Sequence, residues 1–242
     1  MDKVIEQVKR WIDDISRNNM YSRLDSAVCD IQNDQSEREV ILLGRKFIQY
    51  PNVFPIDKFD DTEFFSEAVK MFPGEDFLEI GVGAGVTSVI AALNGANVIG
   101  VDINEEAIYN SKENAILNKV EHSTEFFVSD IFSEVPDKKF DTIFWNVPFC
   151  YSEINELNML ERSVFDFQYK SLENFIRNSK SFLKPNGRLL IGFSNIWGLP
   201  DKLFRILYES GYTDLRIIKQ EMAEWNSIKF DLTLYELKNN NS

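Results

Sequence analysis

Apolar positions along the chain follow two rhythms, one helical and one of short extended runs. Val4, Ile5, Val8, Trp11, Ile12 and Ile15 fall three and four apart, so an amphipathic helix is predicted from Val4 to about Ile15. A second helix is predicted from about Leu24 to Ile31. A third runs from about Ser36 to Ile48, where Ser36 and Glu39 have the spacing of a capping box. Residues 1–50 therefore read as a small N-terminal helical cap or appendage, serving either packing and dimerisation or as a lid over a substrate. Pro51 and Pro55 break the pattern. Asp60-Asp61-Thr62-Glu63 then opens a helix face of Phe64, Phe65, Ala68, Val69, Met71 and Phe72, with Asp61 or Thr62 as the expected cap and Pro73-Gly74 as the stop.

Beyond residue 76 the rhythm alternates between strand and helix. Strands are predicted at Phe77–Ile80, Asn97–Val101, Glu125–Val128, Phe140–Trp145, Arg188–Phe193, near Leu215–Lys219, and at Lys229–Glu236. Helices are predicted from Gly85 to about Leu93, from about Asn104 to Asn118, through Tyr169, Leu172, Phe175, Ile176, Ser179, Phe182 and Leu183, and from about Asp201 to Glu209. Pro185-Asn186-Gly187 is the turn into the fifth strand, and the polar tail after Lys238 is expected to fray. The pattern implies an α/β domain over residues 51–242. Its seven-stranded, mostly parallel sheet ends in an antiparallel strand and carries helices on both faces.

Composition narrows the chemistry. The net charge of −13 disfavours non-specific attraction to phosphate backbones. Two cysteines, Cys29 and Cys150, offer neither metal spacing nor a disulfide framework, and Cys150 reads as packing. Met1 to Arg10 is charged and lacks the apolar core of a signal peptide, and no run approaches the ~20 apolar residues of a membrane span. The expectation is a cytoplasmic protein with no metal and no membrane partner. Its oligomeric state is open.

Polar residues gather at the predicted strand ends. Gly81, Gly83 and Gly85 separate the first strand from its helix, where backbone must approach a ligand closely. A dinucleotide fingerprint would place glycine or alanine where Val86 stands, so a ligand without pyrophosphate is favoured. Asp102 ends the second strand and is placed to accept from both hydroxyls of a ribose. Asp130 ends the third and is placed for an adenine amino group. Glu79 sits where an amino-acid ammonium would lie. Carboxylates around one crevice suit a sulfonium, and the ligand that combines these groups is S-adenosylmethionine. Each strand-end aspartate taken singly is also an ordinary turn or helix cap.

From about Val53 to Leu237 the chain resembles the class I S-adenosylmethionine-dependent methyltransferases, a Rossmann-like fold. Glu79-Ile80-Gly81-Val82-Gly83-Ala84-Gly85 is similar to their first motif, Val101-Asp102-Ile103 to the second and Ser129-Asp130-Ile131 to the third. The resemblance implies cofactor contacts at Ile103 and Ile131 as well. Asn146-Val147-Pro148-Phe149 resembles the Asn-Pro-Pro-Tyr/Phe motif of amino-methyltransferases, including the release-factor glutamine enzymes and the adenine-N6 and guanine-N2 enzymes. There the Asn146 oxygen and the Val147 carbonyl can accept from an NH2 group while Phe149 stacks on its plane. Val147 replaces the first motif proline, which implies a less rigid segment, although Pro148 keeps Val147 extended. Val53-Phe54-Pro55 with Asp61-Thr62-Glu63 is similar to the segment preceding the first motif in the glutamine-methylating branch, placing Thr62 near the cofactor's amino-acid end.

The stretch Cys150–Phe167 is expected to wall the acceptor pocket, with Tyr151, Phe165 and Asp166 as candidate substrate contacts. Its Glu153, Glu156, Glu161 and Asp166 suit a cationic acceptor or simply a solvated loop. His122 reads as a surface residue, so no strong base is evident. These readings imply N-methylation of a planar amide, guanidine or amine of a protein side chain or small metabolite. An RNA or DNA base is the alternative, through a basic face of Lys170, Arg177, Lys180, Lys184 and Arg188. The altered motif also keeps open an inactive cofactor-binding subunit or scaffold.

Overall fold

The computed structural model describes residues 1–13, 28–34, 36–225 and 228–238. Its centre is a sheet of seven strands: β3 (Asp76–Ile80), β4 (Asn97–Asp102), β5 (Thr124–Val128), β6 (Phe140–Asn146), β9 (Leu183–Phe193), β10 (Leu215–Trp225) and β11 (Ile228–Lys238). The spatial order is β10-β11-β9-β6-β3-β4-β5. Strands β3, β4, β5, β6 and β9 are parallel, while β11 runs antiparallel to both β9 and β10. Apolar runs such as Phe77-Leu78 and Val98-Ile99 are buried because helices cover both faces.

Alternation along each strand divides the core in two. Phe77, Val98 and Phe144 point to the face covered by α3 (Asp61–Ala68), α4 (Val86–Leu93) and α5 (Glu105–Leu117), where Phe65, Val89 and Ala107 pack against them. Leu78, Ile80 and Ile143 point to the other face, under α6 (Lys170–Ser179), α7 (Pro200–Glu209) and Val8 of α1 (Asp2–Asp13). Burying a side chain of this size fully contributes about 1.5–3 kcal/mol.

Three sequence expectations are corrected. Ser36–Ile48 is not a helix. It is a hairpin of β1 (Arg38–Leu42) and β2 (Arg45–Gln49), turned by Leu43 at φ 52° and Gly44 at φ 70°. Ser36 bonds to Asp34 and Glu39 pairs with Lys46, so no capping box forms. Pro185-Asn186-Gly187 does not precede the fifth strand but lies within β9. The β6–β9 register there jumps from Phe140↔Leu183 to Thr142↔Arg188, a bulge in the pairing. Finally, Cys150–Phe167 carries two short parallel strands, β7 (Cys150–Ser152) and β8 (Phe165–Phe167), rather than loop alone. Of the other N-terminal expectations, residues 28–33 are helical (α2), whereas 14–27, like the tail from 239, lie outside the described residues.

The hairpin is a strand pair because a helix 60 residues away supplies its missing hydrogen bonds. Asn110, Asn114 and Asn118 stand one turn apart on the α5 side. Asn110 bonds Tyr50 N and Ile48 O, Asn114 bonds Ile48 N and O, and Asn118 bonds Lys46 O. Buried Asn114 also donates to Ala84 O in the glycine loop at 2.8 Å. Asn114→Ala should therefore destabilise the chain by about 2–3 kcal/mol, since it orphans buried backbone groups, against under about 1 kcal/mol for Asn118→Ala at the exposed end. Urea unfolding of the two variants measures the difference.

Candidate active site

Strand order reverses between β3 and β6, and a cavity of about 340 Å³ opens at the carboxyl ends of the strands beside that point. Among its lining are Thr62, Glu79, Gly81, Gly83, Asp102, Ile103, Asp130, Ile131, Asn146, Val147, Pro148, Phe149, Phe165 and Asp166, the residues the sequence singles out. Two of that set lie elsewhere. Gly85 is the residue before α4, at φ 83°, and a Cβ on it would stand 2.8 Å from Ser111 Cβ; it lets α4 approach α5. Tyr151 stands edge-on to Tyr169 with the Lys202 ammonium 3.8 Å over its ring, outside the cavity wall.

Several carboxylates face this space from different elements. Glu79 is buried on β3, and its Oε2 accepts from Ser88 Oγ of α4 at 2.5 Å. Burial raises its carboxyl to about 8 against the hydrogen bonds from Ser88 and Thr87, and nearby Asp102 raises it further. Asp102 accepts the N–H of Gly83 at 3.0 Å through one oxygen and that of Asn104 at 2.9 Å through the other. Burial pushes it upward too, opposed by those backbone bonds. Asp130 is exposed at the rim, and Ile131 behind it is a buried β-branched residue at φ 55°, a strained conformation steadied where Ser129 Oγ donates to its carbonyl at 3.0 Å.

Asn146 ends β6 beside the glycine loop, because Ile80 pairs with Trp145 one residue earlier. Its Nδ2 donates to Asp61 Oδ2 at 2.8 Å, while Asn146 Oδ1 and Asp61 Oδ1 are buried without a hydrogen-bond partner among the described residues. The expectation that Asp61 or Thr62 caps α3 fails. The residue preceding α3 is Asp60, which makes no side-chain cap bond, and Asp61 turns inward to Asn146. Val147 is better fixed than its departure from the proline motif implied. Its N–H, which proline would lack, donates to Gly192 O at 3.2 Å, extending the β6–β9 ladder. Phe149 is fixed through its carbonyl, which accepts from Tyr169 Oη at 2.6 Å; that hydroxyl in turn accepts from Leu199 N at 2.9 Å.

The acceptor wall is less acidic than the sequence implied. Asp166 accepts the N–H groups of Ser171 and Leu172 and thereby caps α6, and Glu161 holds Gln32 and the Asn158 N–H. Glu153 and Glu156 do not line the cavity, whereas Arg162 and Lys170 do. Sequence reasoning also passed over Trp197, which stacks on Phe230 with centroids 4.3 Å apart and has a buried Nε1–H with no partner among the described residues. A tryptophan four residues beyond a strand end was the only local signal. His122 is exposed in the turn before β5.

Fold and cavity together define a class I methyltransferase, and residues 44–213 match the methyltransferase small domain family, to which the chain belongs. A Methanocaldococcus jannaschii protein, provisionally named a protein N5-glutamine methyltransferase, is 35% identical over 160 residues, 64% of this chain and 79% of that one. The release factor glutamine methyltransferase of Fusobacterium nucleatum is 30% identical over 178 residues, 66% of this chain and 49% of its own length. The chain thus spans about half of that relative. Among solved structures, the Thermus thermophilus 16S rRNA N2 G1207 methyltransferase, in complex with AdoMet and guanosine, superposes with a TM-score of 0.60 at 19% identity, covering 84% of this chain and 50% of that one. That likeness is one of fold.

S-adenosylmethionine is the methyl donor of this class, and the cavity's residues fit it. Buried carboxylates without cationic partners among the described residues suit a ligand bearing an ammonium and a sulfonium. A Cβ on Gly83 would meet nothing within 4 Å, so the backbone lies open there.

The raised Glu79 carboxyl has a consequence for stability. The folded chain keeps its proton to about pH 8 whereas the unfolded chain releases it near 4.5, so stability falls as pH rises across that window. The slope is about 1.4 kcal/mol per pH unit at most. Glu79→Gln, which cannot ionise, should gain on the native chain from pH 5 to 8 and level off above. Melting temperatures of the pair at stepped pH measure this.

Proposed function

We propose that the chain transfers the methyl group of S-adenosylmethionine to the nitrogen of a side-chain carboxamide in a protein, a glutamine amide foremost. The observation that carries this reading is Asn146. It ends β6 in the cavity with its amide nitrogen engaged by Asp61 and its buried oxygen without a partner among the described residues. That oxygen and the Val147 carbonyl are the acceptors for an incoming NH2, drawing its lone pair out of conjugation and aiming it, and the surplus proton of the methylated nitrogen is then lost to solvent. Phe149 supplies a planar face. When bound, the cofactor contributes an electrophilic methyl on a good leaving group, so orientation and exclusion of water remain for the protein. No histidine stands at the site, consistent with such a division of labour.

The remaining contacts belong to the same proposal. Asp102 takes the ribose hydroxyls and Asp130 the adenine amino group. Glu79 and Thr62 face the amino-acid end, Gly81 and Gly83 let the backbone close on the ligand, and Ile103 and Ile131 flank the adenine. Trp197 adds to the case for an amide over an amine or guanidine, since its buried N–H has no partner among the described residues and of the three only the amide group carries a carbonyl that would satisfy it. The names of the archaeal and Fusobacterium relatives support the same acceptor class, and the latter's makes a release factor the first protein to try.

A nucleic-acid base is the second reading, favoured by Arg162 and Lys170 on the wall. The basic face expected to serve it is largely neutralised from within. Arg177 pairs with Glu173 and Glu209, Lys180 holds Gly211 O, Lys184 pairs with Asp76 and Asp141, and Arg188 lies by Glu75 and Glu236.

Labelled methyl groups should pass from the cofactor into the protein fraction of a cell extract and appear as N-methylglutamine after enzymatic digestion. Label in RNA or DNA would support the second reading, and cofactor binding with no transfer a non-catalytic subunit. Asn146→Ala should lower kcat at least about 100-fold with cofactor affinity nearly unchanged. Asp102→Ala should instead weaken cofactor binding, read by calorimetry.

A further inference from the structure

We infer that Asp61 is a positioning residue of methyl transfer, holding the Asn146 amide in the orientation that leaves Oδ1, and not the amide nitrogen, for the acceptor's N–H. This deepens the function proposed above and rests on it. An asparagine amide has two nearly isosteric orientations, and its hydrogen-bond partners alone choose between them. Here the partner is a carboxylate, which when ionised can only accept, so Nδ2 must face it, as it does at 2.8 Å. The opposite orientation would set Oδ1 against a buried negative charge, where low dielectric magnifies repulsion.

The surroundings are shaped for the same amide. Gly192 is the register partner of Asn146 on β9, and a Cβ there would stand 3.0 Å from Asn146 Oδ1 and 2.9 Å from the Phe65 ring of α3. A purely structural account of Asp61 is weak. It does not cap α3, it meets no cation, and one of its oxygens is buried without a partner among the described residues. Leaving such a group unsatisfied disfavours folding.

Burial raises the Asp61 carboxyl to about 6, against the Asn146 bond and the nearby backbone N–H groups of Thr62 and Asp61, with Asp60 adding repulsion. Elements that meet α3 or line the same cavity carry other charged groups. Lys219 of β10 sits over the Phe64 ring and pairs with Glu67 and Glu221. Glu79 and Asp102 line the same cavity from β3 and β4. Asp231 of β11 is held by Ser194, Asn195, Thr233 and the Ile196 N–H. From α4 the facing groups are the Thr87 and Ser88 hydroxyls, with Thr87 bonded to Ser66 of α3 at 2.9 Å. Above about pH 6 the ionised carboxylate holds Nδ2. Below it the protonated group becomes a donor and competes for Oδ1, so activity should fall with acid.

Two readouts on the full chain test this. In ¹⁵N-labelled protein loaded with S-adenosylhomocysteine, the Asn146 side-chain NH2 resonances should titrate with a midpoint near 6, and not in Asp61→Asn; resonances flat in the wild type would refute the pairing. Methyl transfer to release-factor glutamine is the second. Asp61→Ala should lower kcat by about 100-fold, the scale of a misplaced reacting group, with KM and S-adenosylhomocysteine affinity within about threefold. Asp61→Asn, whose carbonyl accepts the same bond without titrating, should keep most of the rate and lose the acid limb. Full kcat in Asp61→Ala beside an inactive Asn146→Ala would overturn the role of Asp61 alone. An active Asn146→Ala, or wild-type protein inert toward carboxamides, would instead overturn the reading beneath it. A melting temperature lowered in Asp61→Asn with the acid limb intact would mark a structural residue and also overturn the inference.

Discussion

The reversal of strand order between β3 and β6 is the constraint on which the site depends. Strands β3, β4 and β5 are laid down outward in one direction, and β6, β9, β11 and β10 in the other. Their connections therefore diverge, and a crevice must remain above the junction because no crossover fills it. The pairing of Ile80 with Trp145 then sets the glycine loop beside Asn146 whatever ligand is bound. Helix α3, packed on the same face through Phe65, brings Asp61 to the end of β6.

The crevice is also where the chain tolerates unfavourable electrostatics. Glu79, Asp61 and Asp102 are each pushed upward by burial, and the hydrogen bonds they receive only partly offset that effect. Asp76, by contrast, is answered by Lys138 and Lys184, and that pairing lowers it despite its partial burial. Glu79, Asp61 and Asp102 have no cation beside them among the described residues, so this part of the crevice is arranged for a cation it does not itself contain, and stability is given up for that readiness.

Supporting contacts reach the crevice from far along the chain. Asn114 ties the N-terminal hairpin to Ala84 O, so the glycine loop and the hairpin edge share one side chain. On the opposite wall, buried Asp231 gathers Ser194, Asn195 and the Ile196 N–H, and so sets the loop from which Trp197 reaches the cavity. In both places a polar side chain substitutes for ladder hydrogen bonds that end with the strand.

What the sequence determined by itself was local. Short β-branched runs separated by amphipathic stretches specify buried parallel strands with covering helices, and polar residues at their ends stand at the crevice because strand direction is shared. Glu79, Asp102, Asp130 and Asn146 were legible for that reason. The tertiary structure decided wherever a partner lay far away in the chain. Val40 to Ile48 is compatible with helix or hairpin until asparagines of α5 satisfy its edge, and Asp61 looks like a cap until Asn146, 85 residues on, takes its carboxylate. Asp166 lines the cavity as expected, but each of its oxygens also accepts an N–H group of α6. Hydrophobic periodicity is written in neighbours and can be read there. The partner of a buried polar atom is chosen only once the chain has closed around it.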